Sequence, residues 1–256
     1  MTNDARIGEG RDRRGHAIDH SFGAEAVETQ ERRERIRAVF QAVAPRYDLM
    51  NDLMSFGIHR LWKRVLARRV QGGLGRGGRV VDLAGGTGDV ARLLLGPGRE
   101  VIVCDPSPAM MAVGRRRPGG ESIQWLEGEA EHLPLADASV DLLTLSFGLR
   151  NATQVSQALQ EVRRVLRPGG RFVCLEFSRP QPWLAPMYDL YSRWVIPRLG
   201  AAVAGEPAAY RYLIESIRRF PDQRELAGLM QTAGFSRVSW ENLSFGIACL
   251  HFGSRP

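Results

Sequence analysis

The sequence predicts an α/β protein built on an open, mostly parallel sheet, and three observations predict it. Five short runs, Val80–Leu83, Val101–Cys104, Ile123–Leu126, Val140–Leu145 and Arg171–Glu176, are for the most part continuously apolar, as strands covered on both faces are. Stretches of helical periodicity lie between them, most clearly about Val155–Leu166, as parallel crossovers require. The first run breaks into Gly85-Gly86-Thr87-Gly88-Asp89, and the second ends on Asp105. A strand, a glycine turn and a strand-end acid are how such sheets hold a nucleoside.

The elements follow in chain order. Residues 1 to about 24 are polar, rich in Gly, Arg and Asp and without periodicity, so 1–25 is expected to be a disordered arm and 26–256 a single domain. From Thr29, Ile36, Val39, Phe40 and Val43 fall at helical spacing, and the pattern stops at Ala44-Pro45, as it should before a proline. A second helix is expected over His59–Val70, with Leu61, Trp62, Val65 and Leu66 on its apolar side, and Gly72–Gly78 closes this helical cap over 26–78. After the fourth strand, the helix about Val155–Leu166 meets the stop signal Arg167-Pro168-Gly169-Gly170. Near the end, Pro221–Ala233 reads as a helix capped by Gly234, and Val238–Leu243 with Gly246–Phe252 as an antiparallel hairpin that brings the sheet to seven strands. Between the fifth strand and that last helix lies an insertion over 177–220. Its Leu184, Met187, Tyr188, Tyr191, Trp194 and Val195 recur at three- and four-residue steps, an apolar-aromatic stripe suited to core packing or to a lid over an apolar substrate.

Composition narrows the function classes. A run of roughly 20 apolar residues, enough to span a bilayer, is lacking, and so is the apolar core of a secretory signal near the start. A cytoplasmic protein is expected. Cys104, Cys174 and Cys249 are far apart, which suggests neither a disulfide framework nor a zinc site, and no metal is expected. The formal charge of +7 rests almost wholly on arginine, Lys63 being the only lysine. That balance suits a solvated basic face or a patch facing anionic lipid. An RNA-binding surface would interleave aromatic with basic residues, and no such pattern is evident, so nucleic acid is not expected as a partner.

The glycine turn departs from the dinucleotide pattern, with Ala91 where a third glycine would fall and an acid, Asp89, at its mouth. A carboxylate there would repel a phosphate and suits S-adenosylmethionine, which carries a sulfonium and an amino group. Asp105 is then placed to accept from both ribose hydroxyls. Glu127, Glu129 and Glu131 follow the third strand and are candidates for the adenine edge, while Ser146 ends the fourth strand beside the same crevice. Phe147-Gly148-Leu149-Arg150-Asn151 begins where substrate would meet cofactor. Arg150 stays protonated and is therefore an electrostatic stabiliser rather than a base; a salt bridge holding the loop is its alternative role. The dense segment Arg46–Trp62 offers Tyr47, Asp48, Asn51 and His59 as substrate contacts, with His59 able to move protons near neutrality.

These residues resemble one family. Tyr47-Asp48-Leu49-Met50-Asn51-Asp52-Leu53-Met54-Ser55, Gly57–Arg64, Asp82–Asp89, Ser146–Asn151, Arg164–Gly170 and Tyr210–Arg218 together are similar to the ubiquinone/menaquinone biosynthesis C-methyltransferases. The resemblance runs from about Phe22 to the C-terminus. It implies a class I S-adenosylmethionine-dependent methyltransferase fold, Rossmann-like, with N-terminal helices and a helical insertion before the last helix. It further implies cofactor contacts at Thr87, Asp105, Glu129, Ala130 and Ser146, around a turn that includes Asp82, Gly85 and Gly88. Glu129 departs from the pattern, since the family commonly has Asn or Asp before the alanine.

The implied reaction is methylation of a ring carbon on a reduced, polyprenylated quinol. Arg150 and Asn151 would favour the phenolate, and Tyr47, Asp48, His59 or a held water would assist in binding and proton removal. Peripheral contact with the cytoplasmic membrane face, a homodimer and a quinone-biosynthesis complex are compatible associations. Rival readings are an RNA methyltransferase and a non-catalytic cofactor-binding scaffold.

Overall fold

A computed structural model describes residues 21–22, 25–26, 28–43, 51–52, 55–72, 77–191 and 207–256. Tyr47, Asp48, Trp194, Val195 and most of the N-terminal arm lie outside the described residues. Ser21–Phe22 pairs antiparallel to Glu25–Ala26.

The sheet strands are β1 Gly78–Leu83, β2 Arg99–Asp105, β3 Gln124–Glu127, β4 Val140–Ser146, β5 Leu166–Phe177, β6 Ser236–Leu243 and β7 Ala248–Ser254. Their spatial order is β3-β2-β1-β4-β5-β7-β6. The first five pair in parallel, whereas β7 runs antiparallel between β5 and β6. The helices are α1 Thr29–Val43, α2 Ile58–Gln71, α3 Asp89–Leu94, α4 Pro108–Arg115, α5 Val155–Val165, α6 Pro207–Arg219 and α7 Gln223–Thr232. Helical backbone also covers 185–191 in the insertion.

Alternation along the strands sorts the core into two layers. Val81, Leu83, Leu143, Leu145, Phe172 and Cys174 cluster with Leu159 and Val162 of α5 and Leu226 and Met230 of α7. Their neighbours Val80, Leu142, Val173 and Leu175 cluster with Trp62, Leu66 and Val70 of α2 and Val90 and Leu94 of α3. Each such side chain, fully buried, contributes about 1.5–3 kcal/mol, which is why these strands have no polar face. All three cysteines are free and buried in this sheet. At α7, Asp222 and Glu225 form a reciprocal capping box, and Gly234 follows with φ +88°.

One boundary differs from expectation. The Arg167–Gly170 segment is part of a long β5 rather than a free turn. Val140 pairs with Leu166, the register shifts before Leu142 meets Arg171, and Gly169 absorbs the irregularity at φ +77°. Backbone bonds between Gly169, Gly170 and Arg255 hold this stretch beside the C-terminus.

Because β2 lies on one side of β1 and β4 on the other, the chain reverses direction there. The crevice outside the carboxyl ends of β1 and β4 is thus the topological switch point where open sheets bind ligands.

Candidate active site

A cavity of about 380 Å³ opens at that point, within the roughly 300–1,000 Å³ of small-molecule sites. The ends of four strands contribute to its wall: Ala84 and Gly86 after β1, Asp105 and Ser107 at β2, Glu127, Glu129 and Ala130 at β3, and Phe147, Gly148 and Asn151 after β4. Arg33, Ile36, Arg37 and Gln41 of α1 line it from the opposite side.

The glycine turn is tight because nothing larger fits. A Cβ on Gly85 would lie 2.9 Å from both the carbonyl and the carboxylate oxygen of Asp82, and Gly86 has φ +56°. Asp82 itself is fully buried beneath the turn, accepting from Thr144 Oγ1 at 2.8 Å and from the Ala91 amide at 3.1 Å. Burial pushes its pKa up to about 7. Asp82 therefore holds the turn and α3 in place and is not among the lining residues. Gly85, Thr87, Gly88 and Ser146 are likewise off the wall. The Thr87 hydroxyl accepts from Arg117 at 3.1 Å.

Asp105 is the best-prepared ligand group on the wall. Its two oxygens accept from the Gly86 and Ser107 amides, each at 2.8 Å, and burial lifts its pKa to about 6. A carboxylate oxygen has two lone pairs, so each retains one for a further donor. Two acceptors beside a glycine turn that a Cβ would fill match the paired ribose hydroxyls of S-adenosylmethionine, so these residues fit that cofactor.

Asp89 corrects the electrostatic argument drawn from sequence. Its carboxylate is held by Lys63 at 2.9 Å, Arg92 at 2.8 Å and Arg117 at 3.3 Å, it does not line the cavity, and its pKa is about 2 despite burial. Surrounded by three cations, it is not an unopposed negative charge at the mouth.

Glu129 does line the cavity, but its carboxylate is paired with α1, to Arg37 at 2.5 Å and Arg33 at 3.3 Å. The side chain longer than the family's Asn or Asp reaches the helix on the far side. Ala130 lies beside it on the wall. Glu131, buried, accepts from the Thr153 and Gln154 amides at the start of α5. The sequence placed helix α1 but not its part in roofing the cavity. Its signal was the i,i+4 pair Arg33 and Arg37 next to Ile36, an apolar residue flanked by charges on one face.

Of the acceptor-side candidates, Asn151 lines the cavity and Arg150 does not. The buried Arg150 guanidinium donates to Phe147 O at 2.5 Å and to Glu176 Oε2 at 2.9 Å, and lies over the Phe177 ring at 5.4 Å. Its Nε is buried without a partner among the described residues. Arg32 of α1, also buried, donates to the carbonyls of Arg150 at 3.1 Å and Ala152 at 2.5 Å. His59 is buried, with Nε2 3.2 Å from Asp52 Oδ1, and Asp52 is shared with Arg60. Burial, then the charge of Lys63, lowers its pKa to about 4, so its ring is neutral at pH 7 and a weak base. It is not on the cavity wall.

The family model for the ubiE/COQ5 methyltransferase family matches residues 28–255. The chain belongs to that family. It is 60% identical over 238 residues, 93% of this chain and 94% of the relative, to the ubiquinone/menaquinone biosynthesis C-methyltransferase UbiE of Rubrivivax gelatinosus. It is 50% identical over 240 residues, 91% of this chain and 96% of the relative, to the UbiE of Acidiphilium cryptum. Among solved structures, a SAM-dependent methyltransferase of Thermotoga maritima matches with a TM-score of 0.63 at 21% identity, covering 86% of this chain and all of that one, which shows the shared fold. With membership comes the activity class: the chain is an S-adenosylmethionine-dependent C-methyltransferase of ubiquinone/menaquinone biosynthesis.

Apolar side chains are exposed on the insertion and on the segments packed against it. Phe56, Leu61, Trp183, Met187, Leu190 and Phe245 are all more than half exposed. Trp183 stacks edge-on with Phe245 at 5.2 Å, and Phe56 packs on Tyr191 at 5.7 Å. No helix among the described residues is long and apolar enough to cross a membrane.

Proposed function

We propose that the acceptor is the ring carbon of a reduced, polyprenylated quinol, reached while the protein rests on a membrane surface. The observation that carries this is one cavity with two unlike walls, Asp105, Glu129 and Ala130 on one side and Phe147, Gly148 and Asn151 on the other. The first suits a nucleoside; the second supplies an apolar ring and an amide to a flat polar acceptor.

S-adenosylmethionine, when bound, supplies an electrophilic methyl group on sulfur. A ring carbon is nucleophilic enough only if the neighbouring hydroxyl is ionised, so the protein's task is to favour the phenolate and to align it. Asn151 donates to that oxygen, and Arg150, paired with Glu176 and bonded to Phe147 O, holds the loop behind it. Methyl transfer to that carbon would leave the ring a proton to lose, for which a water and Asp48 are the candidate acceptors, with Tyr47 a candidate substrate contact. His59, neutral and tied to Asp52, supports the segment. On the cofactor side, Thr87 and Ser146 act from behind the turn that Asp105 anchors.

The membrane part is supported by the exposed Trp183, Met187, Leu190 and Phe245 together with the exposed Arg60 and Arg64 around Leu61 on α2. Apolar side chains inserted between headgroups and arginines near anionic lipid are the physics of a surface-bound protein. Flotation with anionic and neutral liposomes, paired with turnover of long-tailed and tailless quinols, tests it. Binding to anionic vesicles and faster turnover of the long-tailed acceptor are expected; no flotation and equal turnover would refute it.

A further inference from the structure

Asn151 is held from two directions by residues distant in the chain. Arg32 of α1 donates to the carbonyls on either side of it, Arg150 and Ala152, which pins the backbone. From α6, the Tyr212 hydroxyl lies 3.0 Å from Asn151 Oδ1. Tyr212 is 61 residues away in sequence and only 5% exposed.

The hydrogen-bonding chemistry dictates which way the amide faces. One end lies 3.5 Å from Phe147 O. A carbonyl only accepts, so that end is the NH2 group and the end toward Tyr212 is the oxygen. The tyrosine must therefore be the donor. Burial lifts the Tyr212 pKa to about 12, which keeps the proton available across the working range. With one Nδ2 hydrogen toward Phe147 O, the second is left for the cavity that Asn151 lines. A hydroxyl donating to an amide oxygen also polarises the amide and strengthens its N–H as a donor.

We propose that Tyr212 is a positioning residue for methyl transfer, fixing the Asn151 amide so that it presents Nδ2–H to the acceptor oxygen. This rests on the reading above in which Asn151 faces the acceptor. Without the hydroxyl, the amide can rotate and offer its oxygen to the ring, repelling the phenolate it should stabilise. Arg32 explains why only the side chain is then at liberty, since the backbone stays clamped.

The test uses the full chain with Tyr212→Phe, Asn151→Ala and the double variant, a short-tailed demethylquinol kept reduced, and measurements of kcat, KM, the pH profile and Tm. Removing a direct oxyanion donor costs about 10²–10³-fold in kcat, which is the expectation for Asn151→Ala. Tyr212→Phe, which leaves the donor present but unaligned, should lower kcat about tenfold with KM for S-adenosylmethionine unchanged. The ascending limb of its kcat profile, set by ionisation of the bound hydroxyl, should move up by about one pH unit, the equivalent of that tenfold. In the Asn151→Ala background the same change should do nothing further. Tyr212→Phe with full kcat overturns the proposal while leaving the role of Asn151 intact. So does a fall in Tyr212→Phe that multiplies with that of Asn151→Ala, or one that follows a lowered Tm with the pH profile in place, because each marks a merely structural tyrosine. Full activity in Asn151→Ala overturns the acceptor-side reading, and the positioning role falls with it.

Discussion

A methyl group added at Gly148 would test how the cavity wall is built. Gly148 has φ −116°, so alanine is allowed by the backbone and any penalty comes from contact. The new Cβ would lie 2.5 Å from Ala84 Cβ, against an optimum of about 3.5–4.0 Å between carbons. Ala84 has little freedom to retreat, because its amide donates to Cys104 O at 2.7 Å and its φ is +50°. Overpacking of this kind costs about 1–3 kcal/mol. Gly148→Ala should therefore lower the urea midpoint at unchanged m-value and weaken S-adenosylmethionine binding, since both residues line the cavity. Ala84→Gly removes the clashing atom, leaving Leu145 Cδ2 at 3.5 Å and Ala84 Cα at 3.8 Å, both ordinary contacts. It also relieves a left-handed backbone that an alanine adopts at a cost of about 1–2 kcal/mol. The double variant should recover most of the loss, with a coupling energy of about 1–3 kcal/mol. Additive penalties measured by urea unfolding would refute the contact as the cause.

Two further outcomes follow from buried and paired charges. His251 on β7 is 1% exposed, with Nε2 2.9 Å from Gln223 O, and burial lowers its pKa from 6.5 to about 4. The unfolded chain then binds the extra proton first, so this contribution is complete above pH 6.5 and is lost as pH falls toward 4, up to roughly 3 kcal/mol. The unfolding free energy of His251→Gln should be correspondingly less steep over that range, and parallel curves would refute it. Glu129→Gln removes the pairs to Arg33 and Arg37, which are partly exposed and together worth roughly 1 kcal/mol. Titration calorimetry should show S-adenosylmethionine binding about fivefold weaker at low salt and a smaller difference at high salt; equal affinities at both would count against α1 as a roof held by charge.

Much of the fold was legible in sequence because its signals are local. Continuous apolar runs gave away a sheet covered on both faces, the glycine turn marked the end of β1, and Gly234 marked the end of the last helix. The candidate site was legible only in part, since partners across space leave no such trace. Asp89 looked like an open charge at the turn, and only the fold brings Lys63 and Arg117 to it. Arg33 and Arg37 are brought to Glu129 only by the fold. The alternative role for Arg150 was a loop-holding salt bridge, and Glu176 supplies that partner 26 residues on. Tyr212 carried no signal of its own, because its contact with Asn151 depends on how α6 packs on the 149–151 turn.

The most direct test of the central claim is to supply S-adenosylmethionine labelled with carbon-13 in the methyl group, together with a demethylated prenylquinol held either reduced or oxidised, and to locate the label in the product by NMR. Label is expected on a ring carbon next to a hydroxyl-bearing position, formed from the reduced acceptor and not from the oxidised one. Label on oxygen, or equal transfer to both redox forms, would contradict it.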